Sequence, residues 1–213
     1  MARRRCPPTG LVLDLACGNG PLWAALNGRG WVGTDLSEAE LRLARRRGEL
    51  PVAVADATAQ PLRQGCAAVV VCSMALMLVQ PLDAALAEIT RLLVPGGTLI
   101  ALLPASRPHT SADAIRYGHL LFALRSWRLR YPNDSELANP RAMLSRAGLT
   151  LIAEERRRFS YAVTSPGMGL RFVQSLYLPG QSPQRLQAAA KVAERWVGKE
   201  LGLPLRRILA VRQ

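Results

Sequence analysis

The sequence predicts an α/β protein built on a doubly wound, mostly parallel sheet, and three observations carry that prediction. Short apolar runs at 11–15, 31–35, 52–56, 67–73 and 98–104 show no polar alternation, as expected of strands buried on both faces. Segments of helical length and period separate them, several with capping residues in place. Carboxylates stand at the carboxyl ends of the first three runs, Asp14, Asp35 and Asp56, where an open parallel sheet presents its ligand-binding edge.

Taken in order, LVLDL at 11–15 is the first strand and 21–27 a short helix, with Pro21 suited to its first turn. Residues 31–35 form the second strand. SEAELRLARRRG follows as a helix, with Ser37 to cap it, Glu40 to complete a capping box and Gly48 to stop it. VAVAD at 52–56 is the third strand and AAVVVCS at 67–73 the fourth. Residues 81–93 form a helix with Leu82, Leu86, Ile89 and Leu93 on one face, closed by VPGG, and TLIALLP is the fifth strand. Right-handed crossovers then wind helices onto both faces. Beyond Pro104 the regularity fails. A helix over 111–128 precedes a Pro/Asn-rich loop, and PRAMLSRAGL is a helix stopped by Gly148. A strand over 150–159, a helix over 183–201 and a closing strand in RRILAVRQ complete the chain.

With 49% apolar and 20% charged residues among 213, the composition is that of an ordinary globular protein. The longest apolar stretch, 67–79, is broken by Cys72 and Ser73 and is too short to span a bilayer. MARRRCPPTG lacks the apolar region of a secretory signal, so the expectation is a cytoplasmic chain with no membrane partner. Cys6, Cys17, Cys66 and Cys72 show no CxxC spacing, which points to scattered reduced thiols and neither zinc nor a disulfide framework. The net charge of +13 is the footprint a nucleic-acid binder would leave. Yet 26 of the 28 basic residues are Arg and only Lys191 and Lys199 are Lys, in a chain rich in Ala and Leu. That skew is the mark of a GC-rich coding sequence, and the clusters Arg3 to Arg5, Arg45 to Arg47 and Arg156 to Arg158 are dispersed. Nucleic acid is therefore a disfavoured partner that the sequence does not exclude.

The glycine turn after the first strand decides between ligands. In a dinucleotide fingerprint starting at Gly18 and Gly20, the third glycine falls on Trp23, the bulkiest side chain available. A P-loop needs a lysine, and none precedes Lys191. A nucleoside without phosphate fits better. Asp35 can accept both hydroxyls of a ribose, and Asp56 can accept from the exocyclic amine of adenine. The small residues Ala16, Gly18 and Gly20 let the backbone approach an amino-acid tail, whose ammonium would meet Asp14 or nearby carbonyls. Adenine, ribose and an amino acid together make S-adenosylmethionine.

Here the sequence resembles the class I S-adenosylmethionine-dependent methyltransferases, of the methyltransferase type 11 kind that act largely on small molecules. The resemblance rests on VLDLACGNG, VGTDLSEAELRLARRRG, VAVADATAQPL and EITRLLVPGGTLIAL in that order, with LSRAGL further on. It implies a Rossmann-like seven-stranded sheet whose last strand, ILAVRQ, is antiparallel. It also implies that Asp14, Gly18 and Gly20 line the methionine end, and that Ala16 keeps a small side chain where the family often has glycine. Asp35 and Leu36 would hold the ribose, Asp56 and Ala57 the adenine, and Cys72 would offer its backbone near the methionine tail. The chain then reads as one domain over 1–213, with 1–104 the cofactor-binding half and 105–139 and 161–203 substrate-cap segments.

The acceptor side is less specific. Methyl transfer from a sulfonium is an in-line displacement in which positioning does most of the work and a base is sometimes required. His109 is the candidate base, ahead of His119, and Ser73, Met74 and Met77 are the candidate substrate contacts after the fourth strand. Nucleobase amino-methylating relatives carry [DNS]-P-P-[YFW] there; this chain has CSMAL, which argues against that chemistry. Leu120, Leu121, Phe122, Trp127, Phe159, Phe172 and Trp196 in the cap segments suggest a small, moderately apolar acceptor, with O-methylation favoured. An RNA methyltransferase and a non-methylating S-adenosylmethionine-binding protein are the alternatives, and a homodimer is compatible with either.

Overall fold

The computed structural model describes residues 10–26, 30–107 and 109–213. The elements in chain order are β1 (Leu11–Leu15), α1 (Pro21–Ala25), β2 (Trp31–Asp35), α2 (Glu38–Arg46), β3 (Val52–Val54), β4 (Ala67–Ser73), α3 (Leu82–Leu92) and β5 (Leu93–Pro104). They continue with α4 (Ser111–Ala123), α5 (Asp134–Leu137), α6 (Pro140–Arg146), β6 (Leu149–Val163), α7 (Met168–Ser175), α8 (Pro183–Glu194) and β7 (Lys199–Arg212). Seven strands form one sheet in the order β3-β2-β1-β4-β5-β7-β6. β1 to β5 pair in parallel. β7 runs against β6: Gly198 N–H donates to the Val163 carbonyl at 2.8 Å and Gln213 N–H to the Gly148 carbonyl at 3.4 Å. Strand order reverses between β1 and β4, which is where a doubly wound sheet opens a crevice at its carboxyl edge.

The fold class is as expected, and the differences in element bounds have local causes. α1 ends at Ala25 with Leu26 as its cap, while Asn27 lies outside the described residues. Ser37 caps α2 by accepting from Glu40 N–H at 3.4 Å, but its own N–H donates to Asp35 Oδ1 at 2.7 Å. Asp35 thus takes the bond that Glu40 would make in a capping box. β3 stops two residues before Asp56, because Asp56 Oδ1 accepts from both Thr58 N–H and its hydroxyl, at 2.8 and 2.7 Å, and turns the chain. VPGG lies inside β5 rather than closing α3, and the β4–β5 register shifts there, between Ala67 and Val69. α4 ends at Ala123, five residues short of the expected stop. Arg125 takes a left-handed φ of 49°, its N–H donates to the Phe122 carbonyl, and Ser126 N–H donates to the Leu121 carbonyl. This is a Schellman closure with Arg in the place usually held by glycine. α7 has no counterpart in the sequence reading, and α8 stops at Glu194 so that residues 199–201 begin β7.

The chain divides into two compact units, one of residues 1–103, 132–155 and 207–213, the other of 104–131 and 156–206. In the first, Leu13, Trp31, Leu41, Leu86, Ile89, Leu93 and Leu99 are buried around the parallel strands. In the second, Leu120, Phe172, Ala189, Ala193, Trp196 and Leu201 make a separate core, with the Phe172 and Trp196 rings edge-on at 6.3 Å. A carboxylate completes it. Asp113, fully buried, accepts from Arg158 Nε at 2.7 Å, Arg158 Nη2 at 3.1 Å, Gly202 N–H at 2.7 Å and Thr110 N–H at 2.8 Å. Arg158 above all, with Thr110 and Gly202, holds that carboxyl far below its ordinary range despite burial.

Candidate active site

The site is built on the carboxyl edge of β1 and β2, wholly within the first unit. Three residues of the loop after β1 adopt left-handed backbone: Ala16 at φ 58°, Gly18 at 54° and Gly20 at 79°. Cys17 N–H, between them, donates to the Thr34 carbonyl at 2.9 Å and pins the loop to β2. Asp35, at the end of β2, then fixes its far side. Its Oδ2 accepts from Gly18 N–H at 2.7 Å while its Oδ1 accepts from Ser37 N–H. One carboxylate therefore positions both the glycine turn and the start of α2. Each of its oxygens keeps a further lone pair for a ligand hydroxyl.

Gly20 ends the turn as the N-cap of α1, in a left-handed conformation (φ 79°) that disfavours a side chain. A Cβ there would stand 2.5 Å from Oε2 of the buried Glu49. Trp23 packs against the cluster of Cys17, Trp31 and Leu41, its indole N–H donating to the Leu50 carbonyl at 3.1 Å. Arg47 Nη1 donates to Asn19 Oδ1 at 3.2 Å from the outer side.

Electrostatically the edge is a set of carboxylates in unequal surroundings. Asp14 is 3% exposed, and its burial pushes its pKa up to about 6. The Trp31 indole N–H, donating to Oδ2 at 3.3 Å, opposes that rise and the Asp35 charge adds to it. Asp56 is exposed and held below the ordinary carboxylate value by the Thr58 N–H and hydroxyl. The Cys17 and Cys72 thiols are both pushed up to about 12, by burial first and then by the Asp14 charge, so neither is a thiolate. Among the described residues no group of three or more His, Cys, Asp and Glu side chains is arranged for a metal ion.

These surroundings suit the parts of S-adenosylmethionine. Asp35 offers paired acceptors for a diol, and Leu36 beside it is 69% exposed, an apolar face next to a carboxylate. Asp56 Oδ2 takes none of the Thr58 bonds and can accept from an amine.

The structure brings Asp14, Ala16, Gly18, Gly20, Asp35 and Leu36 to one loop and strand edge; Asp56 and Ala57 follow β3. Cys72 is buried near the end of β4, Ser73 is exposed, Met74 has a left-handed φ of 57°, and Met77 is buried. His109 belongs to the second unit, its Nδ1 2.9 Å from the Ser106 carbonyl, and His119 lies on the exposed side of α4. The sequence reading passed over Trp31, Glu49 and Thr34. A strand tryptophan and a glutamate after a helix-stopping glycine carry no signal of what they touch across the fold.

Comparison with known proteins gives three findings. A family model described as "Methyltransferase domain" matches residues 13–101. The ubiquinone/menaquinone biosynthesis C-methyltransferase UbiE of Acidiphilium cryptum (strain JF-5) is 31% identical over 177 residues, with 68% of each chain covered. Among solved structures, a Bacillus halodurans C-125 protein named as a methyltransferase has a TM-score of 0.62 at 17% identity, covering 95% of this chain and 92% of that one. The [4+2]-cyclase SpnF has a TM-score of 0.60 at 18% identity, covering 95% and 75%. The structural likenesses show a shared fold.

Proposed function

The chain belongs to the S-adenosylmethionine-dependent methyltransferase family, and on that premise we propose that it methylates a small, moderately apolar hydroxylated ring. The observation that carries the cofactor half of this reading is the Asp35 carboxylate, bonded to Gly18 N–H at 2.7 Å and flanked by Asp14 and Asp56 along the same edge. In this reading Asp35 accepts the ribose hydroxyls beside Leu36, Asp56 and Ala57 hold the adenine, and Asp14 pairs with the ammonium. The turn of Ala16, Gly18 and Gly20 gives the amino-acid tail its close approach, with the Cys72 backbone nearby. When bound, S-adenosylmethionine supplies an electrophilic methyl group for in-line displacement.

The acceptor is read from chemistry. The Acidiphilium relative is named as a C-methyltransferase of ubiquinone and menaquinone biosynthesis, and both of those products are quinones. A hydroxylated ring, once deprotonated, is nucleophilic at oxygen and at the adjacent carbon. The O-methylation expected from the sequence and the C-methylation in the relative's name thus begin with the same proton transfer. His109 is the proposed base: its Nδ1–H donates to the Ser106 carbonyl, which leaves Nε2 with a lone pair for a substrate hydroxyl. Ser73 and Met74, after β4, are the proposed acceptor contacts, with Met77 behind them.

The test is calorimetry with S-adenosylmethionine, followed by labelled-methyl transfer to hydroquinones and structure determination of the product. Binding that Asp35→Ala weakens about 100-fold or more supports the cofactor site. Failure of the wild-type protein to bind S-adenosylmethionine overturns it. Binding without transfer to any hydroxylated ring overturns the acceptor assignment alone.

A further inference from the structure

We propose that the second unit docks on an anionic phospholipid surface through Ile115, Phe122 and Trp127, with Arg125, Arg128 and Arg130 around them. The charge partition comes first. Residues 104–131 and 156–206 hold 14 of the 28 basic side chains but only 3 of the 15 acidic ones, so +11 of the chain's +13 lies in this unit. Of its three acids, Asp113 is consumed by Arg158, which leaves Glu194 and Glu200 as the exposed ones. The first unit, with 14 basic and 12 acidic side chains, is close to neutral.

Apolar exposure falls in the same place. Ile115 and Phe122, seven apart on α4, lie on one stripe and are 61% and 86% exposed. The Schellman closure at Arg125 ends the helix, and RSWRLR then presents Trp127 at 96% exposure between exposed Arg125, Arg128 and Arg130. The other aromatic side chains of this unit that the fold needs, Phe172 and Trp196, are already in its core. Phe122 and Trp127 are therefore not core residues left over.

Aromatics with arginines between them suit either a lipid interface or nucleic acid, and the aliphatic member decides. Ile115 is exposed on the same α4 stripe as Phe122 and has no π face to stack on a base. It gains from hydrocarbon, while Trp127 suits the headgroup boundary and the arginines suit anionic headgroups. No helix among the described residues is long and apolar enough to cross a membrane, so the contact is peripheral. The sequence alone gives no such partner: its expected helix over 111–128 carries Trp127 inside it, and the turn at Arg125 is not legible there. This inference does not depend on the methyl-transfer reading, since vesicle binding is measured without turnover.

The full chain is sedimented with phosphatidylcholine vesicles and with vesicles in which a third of the lipid is phosphatidylglycerol, at low and high salt. Binding to the anionic vesicles alone, weakened by salt, is expected. An Arg125→Gln, Arg128→Gln, Arg130→Gln variant should lose roughly 100-fold, about fivefold per arginine. Ile115→Ser with Phe122→Ser should lose about tenfold or more with an unchanged unfolding temperature, because both side chains are exposed. Trp31 and Trp196 are buried and Trp23 is half-buried in the first unit, so the blue shift of emission on vesicles that Trp127 contributes is the part that should vanish in Trp127→Phe. Equal binding to neutral and anionic vesicles, or none to either, overturns the proposal. So does tighter binding of a short RNA that the Ile115 and Phe122 changes leave intact, which would assign the surface to nucleic acid.

Discussion

Asp14 sets a testable conflict between holding the fold and holding the cofactor. In the proposed site it must be ionised to pair with an ammonium, yet burial raises its pKa to about 6. At pH 7 it is then about 90% ionised and at pH 5 about 10%, so cofactor affinity should fall about tenfold across that interval. An amino acid's α-ammonium stays protonated throughout, so the loss belongs to the carboxyl. Binding pulls Asp14 towards its ionised form, and about half a proton should be released per cofactor bound near pH 6. Calorimetry in buffers of different ionisation enthalpy reads both quantities at once.

The stability of the free protein moves the other way. A carboxyl raised in the folded state stays protonated after the unfolded chain has lost its proton. Stability is therefore lost as pH rises from about 4 to about 6, by ~3 kcal/mol, and is level above. Asp14→Asn should stabilise the free protein at pH 7 by up to that amount, since an amide can still accept from Trp31 N–H. The same change should weaken cofactor binding and abolish its pH dependence. Affinity that is flat between pH 5 and 7, or proton release that persists in Asp14→Asn, would refute the reasoning.

Three further outcomes are expected. Ala16→Gly removes a Cβ from a left-handed backbone at φ 58°, where strain of about 1–2 kcal/mol outweighs the added chain entropy; denaturant unfolding should show a net gain below ~1 kcal/mol. His109→Ala should lower kcat about 100-fold with cofactor affinity unchanged, and equal turnover would remove it as the base. Asp113→Ala leaves the Thr110 and Gly202 N–H groups and Arg158 without their acceptor, at a cost on the order of 3 kcal/mol in chemical unfolding. Because its folded pKa is depressed, Asp113's contribution is present above about pH 4 and is lost as pH falls below, so the variant's deficit should shrink in acid.

The parallel half of the fold was legible because its signals are local. A five-residue apolar run, a capping serine and a stopping glycine each act on their own neighbours, and β1, β2 and β4 came out with the bounds the sequence predicts. The second unit was harder because its decisive interactions join distant residues. α4 stops where Arg125 takes a conformation that sequence assigns to glycine, and β7 runs to fourteen residues because it has β6 to pair with. Asp113 is the capping-box residue of α4, but its bonds to Arg158 and Gly202 lie 45 and 89 positions away.

The site shows the same division within a few residues. Asp35 could be read either as a helix cap or as a ligand carboxylate, and in the proposed site one carboxylate serves both. Its Oδ1 starts α2 through Ser37 while its Oδ2 holds Gly18, so the carboxylate proposed to meet the ribose is fixed by the fold itself. Pre-setting an acceptor this way reduces the ordering cost of binding. In the proposed site a glycine turn ending in Trp23 does not need the third glycine of a dinucleotide loop. That glycine serves close packing beside a pyrophosphate, whereas here Trp23 bonds to Leu50 and leaves the turn to Asp35 and to Glu49 beneath Gly20. Asp35→Asn separates the two roles: it keeps one accepting oxygen and gives up the other to an amide that repels one backbone N–H. Cofactor affinity should fall more than unfolding free energy, and equal losses in both would make Asp35 a cap alone.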